Sequence, residues 1–320
     1  MPRFARRNSR YRSRKPSRKG RGARRSTRAP RRTSRRSRRR GGMSVKAILN
    51  KTSRKKRNGM LSISNTQATG NPDAFAQQPL TLIGSPSGGN LGIVHFRPTC
   101  LDLAQPNGNA NTVSLTSQRT ATTCYMRGLA ENLRIETSSG NPWFHRRVCI
   151  ASRDERFRFS QAGDSTGIQA TAIASGSIET SNGWQRLAAN AQAGNELANT
   201  ISTWLDLLMK GRQGVDWDDI ISAPIDTTRV DLKFDKTWVY RSGNDSGILK
   251  EKKLWHAMNK NLYYADDEQG AGVETYNYSV TDKRGMGDYH IFDFFSQGSS
   301  GTTDDRIKVR YTSTLYWHEK

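Results

Sequence analysis

The stretch Arg306-Ile-Lys-Val-Arg-Tyr-Thr-Ser-Thr-Leu-Tyr-Trp317 alternates almost without a break. Ile307, Val309, Tyr311, Leu315 and Trp317 fall on one side; Arg306, Lys308, Arg310, Thr312 and Thr314 fall on the other. Side chains of a strand point to opposite faces in turn, so a period of two predicts a strand with one buried and one polar face. Arg229–Arg241 repeats the pattern. Its apolar side is Val230, Leu232, Phe234, Trp238 and Tyr240, interrupted by Lys236, against Asp231, Lys233, Asp235 and Thr237. Weaker strand signals are Leu91–Phe96, Cys124–Glu136, Phe144–Ala151, Trp184–Ala188, Leu262–Ala265 and Tyr289–Phe295. About eight strands result, separated by turn-rich loops such as Ser138–Pro142 and Gly243–Gly247.

One segment departs from this period. Leu197, Ile201, Trp204, Leu205 and Leu208 fall at helical spacing, with Asn195 placed to cap the start and Gly211 to stop the end. A lone helix among antiparallel strands fits a sandwich better than a βαβ fold, which needs helices throughout. The expected fold is all-β: an eight-stranded antiparallel jelly-roll sandwich with one short inserted helix.

Ahead of this domain the composition changes abruptly. Residues 1–57 hold 26 of the 52 Lys and Arg, and the first acidic residue in the chain is Asp73. The rest carries 26 basic and 28 acidic residues, a net of 26 − 28 = −2, although the whole chain is +24. Of residues 1–40, 20 are basic and 18 of those are Arg. Such a segment buries too little apolar surface to offset its chain entropy, and its charges repel, so a disordered basic N-terminal arm is expected. A short apolar interlude, Met43–Leu49, separates it from a second basic cluster at Lys51 and Arg54–Arg57. The domain reading is therefore an arm at 1–57 and a folded domain at 58–320, with residues 65–90 as a linker or surface loop.

An arginine-rich polycation neutralises phosphates and releases counterions, and guanidinium groups also stack on unpaired bases. The expected nucleic-acid contacts are Arg35, Arg36, Arg38, Arg39 and Arg40, with Arg54, Lys55, Lys56 and Arg57. Both clusters also have the form of nuclear-import signals, which implies a host import receptor as a partner. Cys100, Cys124 and Cys149 show neither zinc nor disulfide spacing and read as buried small residues. No stretch is apolar enough to span a membrane.

Catalysis finds little support. Gly163-Asp-Ser-Thr-Gly167 reads as a polar loop, and neither a nucleophile elbow nor a phosphate-binding loop is present. The five histidines are scattered. Asp218-Asp219, Asp266-Asp267-Glu268 and Asp304-Asp305 read as exposed loop charges. No catalytic residue, cofactor or metal site is expected.

Several strings carry a resemblance. Met43-Ser-Val-Lys-Ala-Ile-Leu-Asn50 with Arg54–Arg57, Tyr125-Met-Arg-Gly-Leu129, and Asn141-Pro-Trp143 with Arg146-Arg147 are among them. So are Leu254-Trp-His-Ala-Met-Asn-Lys-Asn-Leu262, Gly285-Met-Gly-Asp-Tyr289 and the closing Thr314-Leu-Tyr-Trp-His-Glu-Lys320. In content and order they resemble genomovirus (gemycircularvirus-type) capsid proteins. The resemblance implies a jelly-roll coat related to geminivirus coats, assembling an icosahedral shell around circular single-stranded DNA in a virion, with a nuclear phase in the host. A shell of ~60 copies would carry roughly 60 × 26 = 1,560 arm charges, comparable to a genome of roughly one to three thousand nucleotides. The competing expectation is a cellular nucleic-acid-binding protein, chromatin- or ribosome-associated, with a basic tail. A DNA-processing enzyme would need a carboxylate or histidine constellation around groups such as Asp266 and Asp267.

Overall fold

The computed structural model describes residues 43–85 and 91–320. The chain divides into residues 1–45, of which only Met43, Ser44 and Val45 are described, and residues 46–320. The apolar interlude forms helix α1 (Val45–Thr52). Strands β1 (Arg54–Thr66), β2 (Pro72–Ala76) and β3 (Leu80–Ile83) follow, then β4 (Gly92–Phe96), β5 (Thr123–Thr137) and β6 (Trp143–Ser152). A mixed segment holds helix α2 (Ile168–Ser175), the hairpin of β7 (Ile178–Thr180) and β8 (Gly183–Leu187), and helix α3 (Ala198–Leu208). The chain continues through β9 (Asp231–Tyr240), β10 (Leu249–Tyr263) and a small hairpin, β11 (Asp267–Gln269) with β12 (Gly272–Glu274). It closes with β13 (Asp288–Gln297) and β14 (Arg306–Glu319).

The first main sheet runs β10-β5-β14-β1-β8-β7, with β2 on β1 and β3 on β14; the second runs β4-β13-β6-β9. Pairing within them is antiparallel except for a two-residue parallel contact between β1 and β8. Strands β14 and β9 occupy the ranges that their alternation predicts. The weaker signals at β4, β5, β6, β8 and β13 mark strands too.

Four expectations need correction. The arm does not extend to residue 57: Arg54–Arg57 are the first residues of β1, held by β14 in the register Arg54 to Glu319 and Arg57 to Tyr316. Residues 65–90 are not merely a linker, because Leu80 and Leu82 are buried and β3 pairs with Ile307 and Val309. Strand β10 starts at Leu249 rather than Leu262. It is an edge strand whose Lys250, Glu251 and Lys253 all reach water, so it lacks the one-sided apolar pattern. The expected single helix is one of three α-helices among the described residues.

Helix α3 also starts differently. Asn195 does not cap it. Asp164, 36 positions before Thr200, accepts from Asn199 N at 2.9 Å, Thr200 N at 2.7 Å and the Thr200 hydroxyl at 2.6 Å. The polar loop Gly163–Gly167 thus satisfies the helix's free N–H groups from a distance. The Trp204 ring of α3 then packs on His95 of β4 (4.8 Å) and Phe292 of β13 (5.6 Å). With α2 beside β4, the helices cover the outer face of the second sheet, and β13 is buried along nearly its whole length.

Between the sheets lies an apolar core that includes Leu133, Ile135, Ile307 and Val309. At its centre are four buried charges: Glu131 of β5, Arg147 of β6, Arg186 of β8 and Asp293 of β13. Arg147 forks onto Asp293 with Nε at 2.7 Å and Nη2 at 2.8 Å, and its Nη1 donates to Glu131. Arg186 donates to Glu131 at 3.0 Å and to Asp293 at 3.2 Å, its guanidinium lying 4.3 Å from the Phe96 ring centre and 4.0 Å from that of Tyr311. Ser313 and His145 complete the shell, at 2.7 Å from Glu131 and 2.8 Å from Asp293. Two guanidiniums and two carboxylates balance, and both sheets contribute.

Burial alone would raise the Glu131 carboxyl, but Arg147 and Arg186 outweigh it and hold it at about 2. Burial likewise opposes ionisation of Asp293, and Arg147 with His145 holds it well below the usual range. Burial and Arg147 push His256, beside this cluster, down to about 4. All three groups bind protons less readily folded than unfolded, so stability is greatest above the unfolded values. It should begin to decline below pH ~6.5 as unfolded histidine charges, and fall again from about pH 4 toward pH 2 through the carboxylates. Urea midpoints measured between pH 7 and pH 3 check this sign. At pH 7, Asp293→Ala removes one of the two carboxylates that Arg147 and Arg186 share, leaves a buried positive charge unbalanced, and should cost about 3–5 kcal/mol.

Candidate nucleic-acid interface

Arg35, Arg36, Arg38, Arg39 and Arg40 lie outside the described residues. The structure does locate the second cluster, and it splits that cluster. Successive strand residues face opposite ways, so four consecutive cations in β1 cannot share a surface. Lys55 and Arg57 lie on the solvent face, and Arg54 is exposed at the strand start. Lys56 turns inward and is buried, a correction to its expected role. Its Nζ donates to the Gln118 carbonyl at 2.7 Å and the Thr120 hydroxyl at 3.0 Å, and lies 3.2 Å from Glu319. Glu319 also accepts from Thr120 N at 3.0 Å and Trp317 Nε1 at 2.7 Å. Lys56 ties β1 to the chain's last strand.

Register across the first sheet shows what accompanies Lys55 and Arg57. Directly opposed residues of antiparallel strands share a face. Lys55 stands opposite His318, and His318 opposite Tyr125; Arg57 stands opposite Tyr316. Farther along, Thr314, Ala130 and Trp255 form one row, and Thr312, Asn132 and Lys253 the next. Arg310, Arg134 and Glu251 follow, then Lys308 with Glu136. Arg127 is exposed beside the irregularity where β14 shifts register on β5. The outer face of this sheet therefore carries Lys55, Arg57, Arg127, Arg134, Lys253, Lys308 and Arg310 against Glu136 and Glu251. One of those carboxylates, Glu136, is paired with Arg134 at 2.8 Å.

Residues 46–320 carry 32 basic and 28 acidic residues, a net of 32 − 28 = +4, and this small total hides a segregation of charge. Exposed acidic side chains gather elsewhere, as in Asp267, Glu268 and Glu274 of the β11–β12 hairpin. Asp266, next to that hairpin, is engaged by the buried Arg119, whose Nη2 is 3.0 Å from its Oδ1. The helices α2 and α3 pack on β4 and β13 of one sheet, and among the described residues the cationic face of the other is exposed. Seven cations on one face of the sheet, with Trp255, Tyr316, Tyr125 and His318 among them, form a surface that can hold phosphates and meet base rings.

Sequence reading reaches only part of this face. Arg306, Lys308 and Arg310 are visible as the polar side of an alternating strand. Their meeting with Arg134 and Lys253 depends on the strand order, which local patterning does not contain. The buried Asp293 does leave a signal, a single acid inside the aromatic run Tyr289–Phe295. A carboxylate in such a run needs a cation.

No protein-family model matches this chain, and no curated protein matches it.

Fluorescence anisotropy with single-stranded DNA over a range of salt, alongside thermal melts, separates the two kinds of lysine and arginine. Arg57→Ala or Arg310→Ala should leave the melting temperature unchanged and lower the salt slope by about 0.7 for each phosphate no longer neutralised. Lys56→Ala should instead reduce stability, by about 3 kcal/mol, because it leaves Glu319 buried without its cation.

Proposed function

We propose that the protein is the coat protein of a small single-stranded DNA virus, a jelly roll that self-assembles into an icosahedral shell and packages its genome with the basic arm. The observation that carries this reading is the nesting of the strands. Take β1, β4, β5, β6, β9, β10, β13 and β14 as first to eighth. The first pairs with the eighth, the second with the seventh, the third with the sixth and the fourth with the fifth. Pairing of β14 with β5 and of β13 with β6 then joins these hairpins into two four-stranded layers. One long hairpin wrapped round a barrel produces this order, which supports the jelly-roll reading. The remaining strands and the helices are insertions on that frame.

Charge supports the nucleic-acid half of the proposal. The arm supplies 18 arginines within residues 1–40, and the exposed face of the first sheet supplies cations held at strand positions. A cellular nucleic-acid binder would share these features without assembling. The two readings part on encapsidation, since a closed shell protects a whole long strand from nuclease, whereas a bound protein protects only the short footprint it covers. Full-length protein purified from cells should carry nuclease-resistant nucleic acid, and a chain lacking residues 1–40 should lose most of it while melting at the same temperature. Nucleic acid fully digested in both preparations would contradict the coat reading.

A further inference from the structure

We propose that a groove on the cationic face, between Trp255, Tyr316 and His318, seats an unpaired nucleobase whose phosphate is held by Lys55 and Arg127. The inference rests on the reading of this face as a nucleic-acid interface and goes further, assigning the folded domain its own preference for single strands.

The groove has a volume of about 420 Å³, within the range of roughly 300–1,000 Å³ typical of small-ligand sites. Trp255 is 51% exposed, unusual for the largest apolar side chain, and its position is fixed rather than adventitious. Gly128 has φ +149°, and a Cβ there would lie 2.8 Å from Trp255 Cζ2. Ala130, directly opposite Trp255 in the sheet, is small as well. These two residues leave a shallow bed in which the indole lies beside Tyr316, with ring centres 5.9 Å apart and planes at 53°. Two aromatic rings that are neither parallel nor in contact face to face leave a stacking surface open to a third. Every base offers such a ring face, and stacking of this kind tolerates any sequence.

The charges at the rim fit the backbone that accompanies a base. Arg127 donates to the Asn259 side-chain oxygen, and Lys55 donates to the carbonyls of Asn50 and Ser53. These partners are neutral, so they orient the two cations without cancelling them. The His318 ring lies tilted against that of Tyr125, with centres 5.9 Å apart and planes at 40°. Burial, Lys55 and Arg127 hold its pKa below the ordinary value, which keeps its imidazole neutral at pH 7 and able to bond a base edge. In a duplex the base faces are already stacked, so the rings would gain nothing and only the phosphates would be bound.

Photo-cross-linking tests this at residue level in the full chain, where overall affinity would be dominated by the arm. Full-length protein is irradiated with single-stranded DNA containing 5-iododeoxyuridine, and adducts are mapped by mass spectrometry. Adducts are expected on Trp255 or Tyr316, at least tenfold fewer with the same sequence as a duplex. In the double variant Trp255→Leu, Tyr316→Leu they should vanish while adducts elsewhere and the melting temperature persist. Adducts confined to other positions, with single-strand binding intact, would overturn the groove assignment and leave the coat reading standing. Failure of the full chain to bind single-stranded DNA at all would remove the interface itself, and the groove with it.

Discussion

The contact between Arg147 and Asp293, shared with Glu131 and Arg186, sets the relation between the two sheets. Four charges enclosed in a sandwich tolerate little displacement. A shift of one residue in β6 or β13 would carry a charge to the other side of its sheet and leave its partner desolvated and unpaired. An apolar interface of the same area would accept several packings at similar cost; this one accepts a single register. The cluster is thus a device of specificity at least as much as of stability, since an isosteric apolar core could be as stable. Its fork geometry uses Arg where Lys would not serve, because one guanidinium bonds two carboxylates at once.

That register decides what the outer surfaces present. With Glu131, Leu133 and Ile135 committed inward, Ala130, Asn132 and Arg134 of β5 must face out. The same parity sends Tyr316, Arg310 and Lys308 of β14 to solvent, where strand order brings them beside Lys253 and Trp255. A cationic surface arises on a domain whose net charge is only +4, from 32 basic and 28 acidic residues over 46–320. On the other sheet the helices α2 and α3 pack against the outer side of β4 and β13, and the β9 edge of that face, with Thr237 and Val239, meets water. Arm and face differ in kind: the arm is rich in arginine by composition, and the face sets a few cations at strand positions with aromatic rings among them.

Much of this architecture was legible in the sequence where a strand has one wet side and one dry side. Strand β14 and most of β9 are of that type, and their alternation marks them. Strand β10 was not, because an edge position lets charged residues occupy both faces of Leu249–Lys253. The basic run Arg54–Arg57 misleads for a related reason. Composition groups the four residues with the arm, whereas the strand's parity sends Lys56 to Glu319 and its neighbours to water. The cap on α3 was hidden because Asp164 is remote from the helix in sequence, and local capping rules search only adjacent positions. The cationic face was hidden most completely, since its members come from four strands and share nothing until the sheet is assembled.

Negative-stain electron microscopy of the purified full-length protein, with single-stranded DNA present, tests the central claim most directly. The expected result is a population of uniform, closed, small spherical particles. Monomers or irregular aggregates at every salt and pH tried would contradict it, and would leave a nucleic-acid-binding sandwich that does not build a shell.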